Sequence, residues 1–202
     1  MPILELVENE KKLRVLAAAK IVFLRYGFRR VTMQDIADEA GISRPALYLV
    51  FPNKEEVFIA TIGHLSGESL ATIREKLPTL PDAEAKLRFA FEIWTIYPFE
   101  LMLASPDARD LAHCGEGFAS EVLGRISAEF ESILQLILEP VVAANGAAIL
   151  PAAQVAHLLA ASAHGYKDAS KSISELREMI HGLITLTLAA LEVKSNPRPV
   201  SA

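Results

Sequence analysis

Apolar residues recur along this chain every three or four positions, with charged residues between them, which is a helical period and not a strand period. Residues 8–26 place Leu13, Leu16, Ala17, Ile21 and Leu24 at helical spacing, leave Lys11, Lys12, Lys20 and Arg25 for other faces, and stop at Gly27. The pattern predicts an amphipathic first helix that buries this stripe. Three helix-start signatures follow closely. Thr32 is placed to cap a helix, with Asp35 three residues on as a capping-box variant and Val31 facing Ile36 as a hydrophobic staple. Ser43 repeats the pattern. There Ile42 and Leu47 take the staple positions, Pro45 sits in the first turn where a missing N–H costs nothing, and Gly41 supplies the left-handed conformation that ends the preceding helix. Asn53 is the third cap, with Glu56 completing its box. Two short helices, 32–40 and 43–50, joined at Gly41, make a helix-turn-helix signature.

Downstream, the spacing predicts helices over 53–76, ending before Pro78, and over 82–96. A short helix is bracketed by Pro98 and Pro106, and an apolar-faced one over 117–144 is kinked or shortened by Pro140. Two more are expected over 147–171 and 174–193, before a frayed tail. No run alternates as a strand would. The expectation is an all-α chain of about nine helices, with residues 1–52 as one domain and 53–202 as a second.

Composition narrows the class. With 202 residues, 51% of them apolar, most of the chain can bury a core, and disorder is excluded for the bulk of it. Cys114 is the only cysteine, so no internal disulfide is possible and a reducing cytoplasm is expected. The N-terminal residues do not read as a signal peptide. The longest uncharged stretch near the C-terminus, 179–191, carries His181 and falls short of the roughly 18 apolar residues that span a bilayer, so no membrane association is expected. Charge is asymmetric: residues 9–54 hold nine bases and four acids, a net +5 in a chain whose total is −5. A basic helix-turn-helix on an acidic body points to a polyanion partner for the N-terminal part, nucleic acid first.

The stretch LAAAKIVFLRYGFRRVTMQDIADEAGISRPALYLVFPNKEEVF, about residues 13–58, resembles the DNA-binding region of TetR/AcrR transcriptional regulators. Phe23, Gly27 and Phe28 match the family's F…GF element, and Thr32, Ile36 and Ala37 its second helix. Gly41, Ser43, Leu47, Tyr48, Phe51, Lys54 and Glu55 match its turn, recognition helix and start of the fourth helix. The resemblance implies double-stranded DNA, a palindromic operator, as partner. In a helix-turn-helix the N-terminal residues of the second helix reach base edges, here Ser43, Arg44 and Pro45, with Leu49 further along. Arg44 either donates two hydrogen bonds to a guanine or contacts a phosphate. Tyr48 resembles the family's backbone-contacting tyrosine, the alternative being a half-buried core tyrosine. Thr32 and Lys54 sit at helix N-termini, where free N–H groups favour a phosphate oxygen. Val50 departs from the pattern, because many members carry a phosphate-touching histidine there.

The C-terminal part shows no motif, only the helix count and lengths that the resemblance implies for a variable ligand-binding domain. Its apolar and aromatic residues suggest a cavity for a small hydrophobic or aromatic effector. The candidate lining is Phe89, Trp94, Tyr97, Met102, His113, Phe118, His157 and Tyr166. Small residues on the eighth helix and an excess of leucine on the ninth suit a homodimer through the last two helices. Five scattered histidines and a single cysteine give no zinc spacing, and no nucleophile elbow or phosphate loop occurs, so no metal, cofactor or enzymatic activity is expected. The expected function is a ligand-responsive transcriptional regulator, a repressor released by its effector. The alternative is a helical ligand carrier or protein-docking module whose helix-turn-helix does not bind DNA.

Overall fold

The computed structural model describes residues 3–105, 107, 111, 117–144 and 150–192. These residues form helices joined by turns, with no strand among them: α1 (Ile3–Arg30), α2 (Met33–Glu39), α3 (Arg44–Tyr48), α4 (Lys54–Lys76), α5 (Ala83–Phe91), α6 (Tyr97–Leu103), α7 (Ser120–Ala144), α8 (Ala152–Ala169) and α9 (Ile173–Glu192). They pack as two compact units, Met1–Glu68 with Glu100–Ile126, and Ser69–Phe99 with Ser127–Ala202. The division at residue 52 is thus one of expected role; packing groups the first part of α4 and residues 100–126 with the helix-turn-helix.

In the first unit α1 is broken at Gly27, whose φ of 73° and ψ of 165° lie outside any helix and in a region that only glycine occupies readily. The expected stop is there, although three residues of helix follow it. Of the expected buried stripe, Leu16 is buried and Leu24 half-buried, but the rest is not. Leu13 and Ile21 are each 42% exposed and Ala17 is exposed, while Val15, Leu16, Ala18, Ala19, Val22 and Phe23 are buried. Two apolar stripes fit the 3.6-residue period of α1, and contact with α2 chose the one centred on Val15, Ala19 and Val22. The core beneath also holds Phe28, Val31, Ile36, Ala37, Leu47, Phe51 and Phe58. A large apolar side chain buried there contributes about 1.5–3 kcal/mol.

The caps form as the spacing requires. Thr32 Oγ1 accepts from the Asp35 N–H at 3.3 Å, and the Asp35 carboxylate accepts from the Thr32 N–H at 2.8 Å and its hydroxyl at 2.7 Å. The Thr32 hydroxyl, followed by its N–H, holds the Asp35 carboxyl below the ordinary carboxylate range. After α2, the Ile42 N–H bonds the Ala37 carbonyl and the Gly41 N–H the Asp38 carbonyl around Gly41 at φ 63°, a Schellman turn. Ser43 Oγ accepts from the Ala46 N–H at 3.3 Å, and Asn53 Oδ1 from the Glu56 N–H at 2.7 Å. The third helix is shorter than the expected 43–50, because the backbone tightens after Tyr48 and Phe51 precedes Pro52 and so avoids the helical region.

The second unit is built around Leu87, Phe91, Phe130, Leu134, Leu138, Leu159, Leu176 and Ile180, all under 2% exposed. The expected separation of 82–96 from a Pro-bracketed helix is not observed. A π-helical turn, Glu92–Ile96, joins α5 to α6 without a gap, and the Tyr97 N–H bonds the Glu92 carbonyl. The wide turn lies immediately before Pro98, which lacks an N–H and whose ring would crowd the Trp94 carbonyl in a regular helix. Helix α7 continues through Pro140 to Ala144, and α8 starts after Pro151, later than residue 147. Replacing Gly27 by alanine forces a Cβ into its conformation. Gly27→Ala should cost about 1–3 kcal/mol of stability, read as a lower urea midpoint by circular dichroism; an unchanged midpoint would show that the break tolerates a side chain.

Candidate nucleic-acid interface

Helix α3 is a small platform. Leu47 is fully buried beneath it, while Ser43, Arg44, Pro45, Tyr48 and Leu49 are exposed, Leu49 to 84% and Tyr48 to 43%. The Arg44 guanidinium lies over the Tyr48 ring at 5.6 Å from its centroid, and its Nη2 donates to Tyr48 Oη at 3.3 Å. The ring holds the guanidinium close to the helix and limits the rotamers open to it. Tyr48 is not among the residues packed in the core of the first unit. Thr32 is exposed at the start of α2, its side chain already engaged with Asp35. Val50 is half-buried against the core, so it packs and presents nothing outward.

Lys54 opens α4, the helix N-terminus expected there, and its side-chain amine is engaged within the chain. Its ammonium donates to the Phe28 carbonyl at 2.8 Å and the Val31 carbonyl at 2.9 Å, and it stands 4.4 Å from the Phe28 ring centroid. Two of its three hydrogens are thereby committed inside the protein. Of the loop arginines, Arg30 pairs with Asp107 at 2.9 Å. Sequence spacing offered no signal for either contact, since the partners of Lys54 are backbone carbonyls far back in the chain and Asp107 lies far ahead of Arg30.

The expected effector lining is not gathered in one place. Phe89, Trp94 and Tyr166 are half-buried against the core of the second unit, where Trp94 stacks on Phe130 at 4.7 Å. Tyr97 is 50% exposed, and the exposed His157 meets Glu131 at 3.1 Å. Met102 and Phe118 belong to the first unit, where Phe118 stacks on Phe28 at 5.3 Å. His113 and Cys114 lie outside the described residues. A groove of about 400 Å³ in the second unit is lined by the carboxylates of Asp82, Glu84 and Glu192 and by Val141, Leu188 and Ala189, none of them expected from the pattern. Two further groups escaped it. Burial pushes the Lys167 amine down, only partly opposed by Asp168, and burial, then Arg88, pushes His181 down beside the Glu92–Arg177 pair at 2.7 Å. Among the described residues no group of three or more His, Cys, Asp or Glu is placed to hold a metal ion, and no helix is long and apolar enough to cross a membrane.

Comparison with known proteins adds an independent line. Residues 15–61 match the family model described as bacterial regulatory proteins, tetR family. The chain is 34% identical over 87 residues to the HTH-type transcriptional activator FasR of Mycolicibacterium smegmatis, covering 43% of this chain and 40% of that protein. It is 31% identical over 93 residues to the HTH-type transcriptional regulator RutR of Escherichia coli, covering 45% of this chain and 44% of that one. These matches span less than half the length of either relative. The fold extends further. A TetR transcription regulator from Haloarcula marismortui superposes with a TM-score of 0.72 at 18% identity, covering 90% of this chain and 98% of that one. The FadR repressor of Thermus thermophilus, in complex with lauroyl-CoA, superposes with a TM-score of 0.63 at 20% identity, covering 94% and 100%.

The Lys54 geometry has a measurable consequence. Lys54→Met should remove two charge-assisted hydrogen bonds to the loop and cost about 1–3 kcal/mol of stability, read by urea denaturation followed by circular dichroism. A variant as stable as wild type would return Lys54 to a purely external role.

Proposed function

We propose that this chain, whose residues 15–61 belong to the tetR family of bacterial regulatory proteins, is a ligand-responsive, sequence-specific transcriptional regulator that represses from a palindromic operator. The observation that carries the reading is the Arg44–Tyr48 pair standing out from a capped α3 over fully buried Leu47, within a segment of net charge +5. On this reading α3 enters the major groove, Arg44 donates to guanine O6 and N7, Ser43 reaches a base edge beside it, and Tyr48 donates to a phosphate. Pro45 and Leu49 make apolar contact with the groove. Thr32 and the third hydrogen of Lys54 complete the backbone contacts. Residues 1–52 carry this role and 53–202 carry effector binding and dimerisation, and the protein acts in the cytoplasm by binding, without turnover.

A homodimer through α8 and α9 is supported by what those helices leave uncovered. Leu158 is 51% and Leu186 71% exposed, and a Cβ added at the helical Gly165 or Gly182 would meet nothing within 4 Å. Glycine inside a helix costs about 0.5–1 kcal/mol relative to alanine, and nothing among the described residues crowds either position, which leaves room for close approach of a second copy. Two copies then hold their α3 helices about 34–36 Å apart, one turn of DNA. The effector is small and hydrophobic or aromatic, held among the second unit's apolar residues, with Phe89, Trp94, Tyr97, His157 and Tyr166 as candidates. The lauroyl chain of the lauroyl-CoA bound by the Thermus thermophilus repressor is likewise hydrophobic. It switches the protein only through a higher affinity for the state that does not bind DNA.

Selection from random duplex DNA at two salt concentrations should enrich a palindrome; enrichment of nothing at either salt would sink the reading in favour of a carrier or docking protein. With that operator, Arg44→Ala should cost about 1–3 kcal/mol of binding and relax preference at one position of each half-site. Tyr48→Phe should instead weaken all sequences alike. The dimer is tested by Leu186→Glu, for which sedimentation should show a monomer at concentrations where wild type is dimeric; two equal dimers would move the interface elsewhere.

A further inference from the structure

We propose that Phe118 is a positioning residue for operator binding, acting through Phe28 on the loop that starts the helix-turn-helix; this rests on the DNA-binding reading above. The loop from Gly27 to Thr32 is held on three sides within the first unit. Lys54 bonds the carbonyls of Phe28 and Val31, at its beginning and near its end. Asp107 holds Arg30 at 2.9 Å. The Phe118 ring lies on the Phe28 ring at 5.3 Å between centroids with 27° between planes, and meets Phe58 edge-on at 5.8 Å.

Phe28 is the centre of this arrangement. Its ring also meets Phe58 at 5.0 Å and Phe23 at 5.7 Å, with the Lys54 ammonium 4.4 Å from its centroid. The loop ends at Thr32, whose capping box starts α2, and the Schellman turn after α2 sets the start of α3. A shift of Phe28 therefore reaches Arg44 through the capping box of α2, the Schellman turn and the Ser43 cap. Phe118 is itself 39% exposed, so its effect lies less in filling a core than in closing one side of Phe28. It belongs to Glu100–Ile126, which is reached through α6 and left through α7. The first unit thus includes a residue from a stretch outside the helix-turn-helix sequence, two residues ahead of α7.

The test uses full-length Phe118→Ala and Phe118→Leu, with a selected palindrome and a scrambled duplex of the same length. Phe118→Ala should weaken palindrome binding about three- to tenfold, as loss of an aromatic pair would. Binding to the scrambled duplex and the slope of log affinity against log salt should stay unchanged, because no phosphate contact is removed. Phe118→Leu, which keeps an apolar side chain without stacking, should fall between Ala and wild type. Fluorescence of Trp94, the chain's only tryptophan, reports separately that the second unit remains folded. A lower melting temperature with an unchanged palindrome-to-scrambled ratio would leave Phe118 merely structural and overturn the proposal. So would a reduced salt slope, which marks a direct contact. If Phe118→Ala does not fold, Phe118→Leu binding as tightly as wild type overturns it. A wild-type chain that fails to prefer the palindrome sinks the DNA-binding reading itself, whereas wild-type preference shared equally by both variants sinks this proposal alone.

Discussion

Helices of seven and five residues cannot persist on their own hydrogen bonds, since nucleation of so short a segment is unfavourable in water. Each leaves more backbone groups unsatisfied at its ends than it satisfies within. The first unit depends on meeting that constraint twice in succession. Thr32 and Asp35 close the start of α2, Gly41 allows its end to close on itself, and Ser43 starts α3 two residues later. Burial of Ile36 and Leu47 then fixes the two helices on α1. What remains outward on α3 is a set of side chains whose backbone has almost no freedom.

The loop ahead of α2 is governed by the same need. Breaking α1 at Gly27 turns the chain, and Lys54 supplies charged donors to the Phe28 and Val31 carbonyls that follow the break. A charge-assisted bond is roughly twice as strong as a neutral one, which suits a loop that must not drift. Aromatic rings add shape to this: Phe23, Phe28, Phe58 and Phe118 pack by edges and faces, so the loop is seated on a patterned surface as well as an apolar one.

The second unit solves a different problem. Its core is almost wholly aliphatic and aromatic, and its polar contacts lie at the margin, where Glu92 on the π turn meets Arg177 of α9. The π turn puts Trp94 flat on Phe130 with 11° between the rings. Lys167 is the exception, an amine drawn into partial burial with only its chain neighbour Asp168 to favour its charge. The shape of such a core is set by packing, and little of that is encoded at fixed spacing.

Features that depend on residues three to five apart were readable before any coordinates existed. The caps at Thr32, Ser43 and Asn53, the turn at Gly41 and the break at Gly27 are local chemistry, and a chain so written has few alternatives. The helical class follows from the same short-range period. Other features were settled by partners distant in sequence. Which stripe of α1 is buried was undecided by a pattern that fits two stripes. Lys54 turned inward because carbonyls of Phe28 and Val31 came within reach, and Phe118, listed by composition with the apolar body, joined the first unit because Phe28 offered it a ring. Hydrogen-bond geometry within a turn is a property of a few consecutive residues; the choice of neighbour across the fold is a property of packing, which exists only once the helices have met.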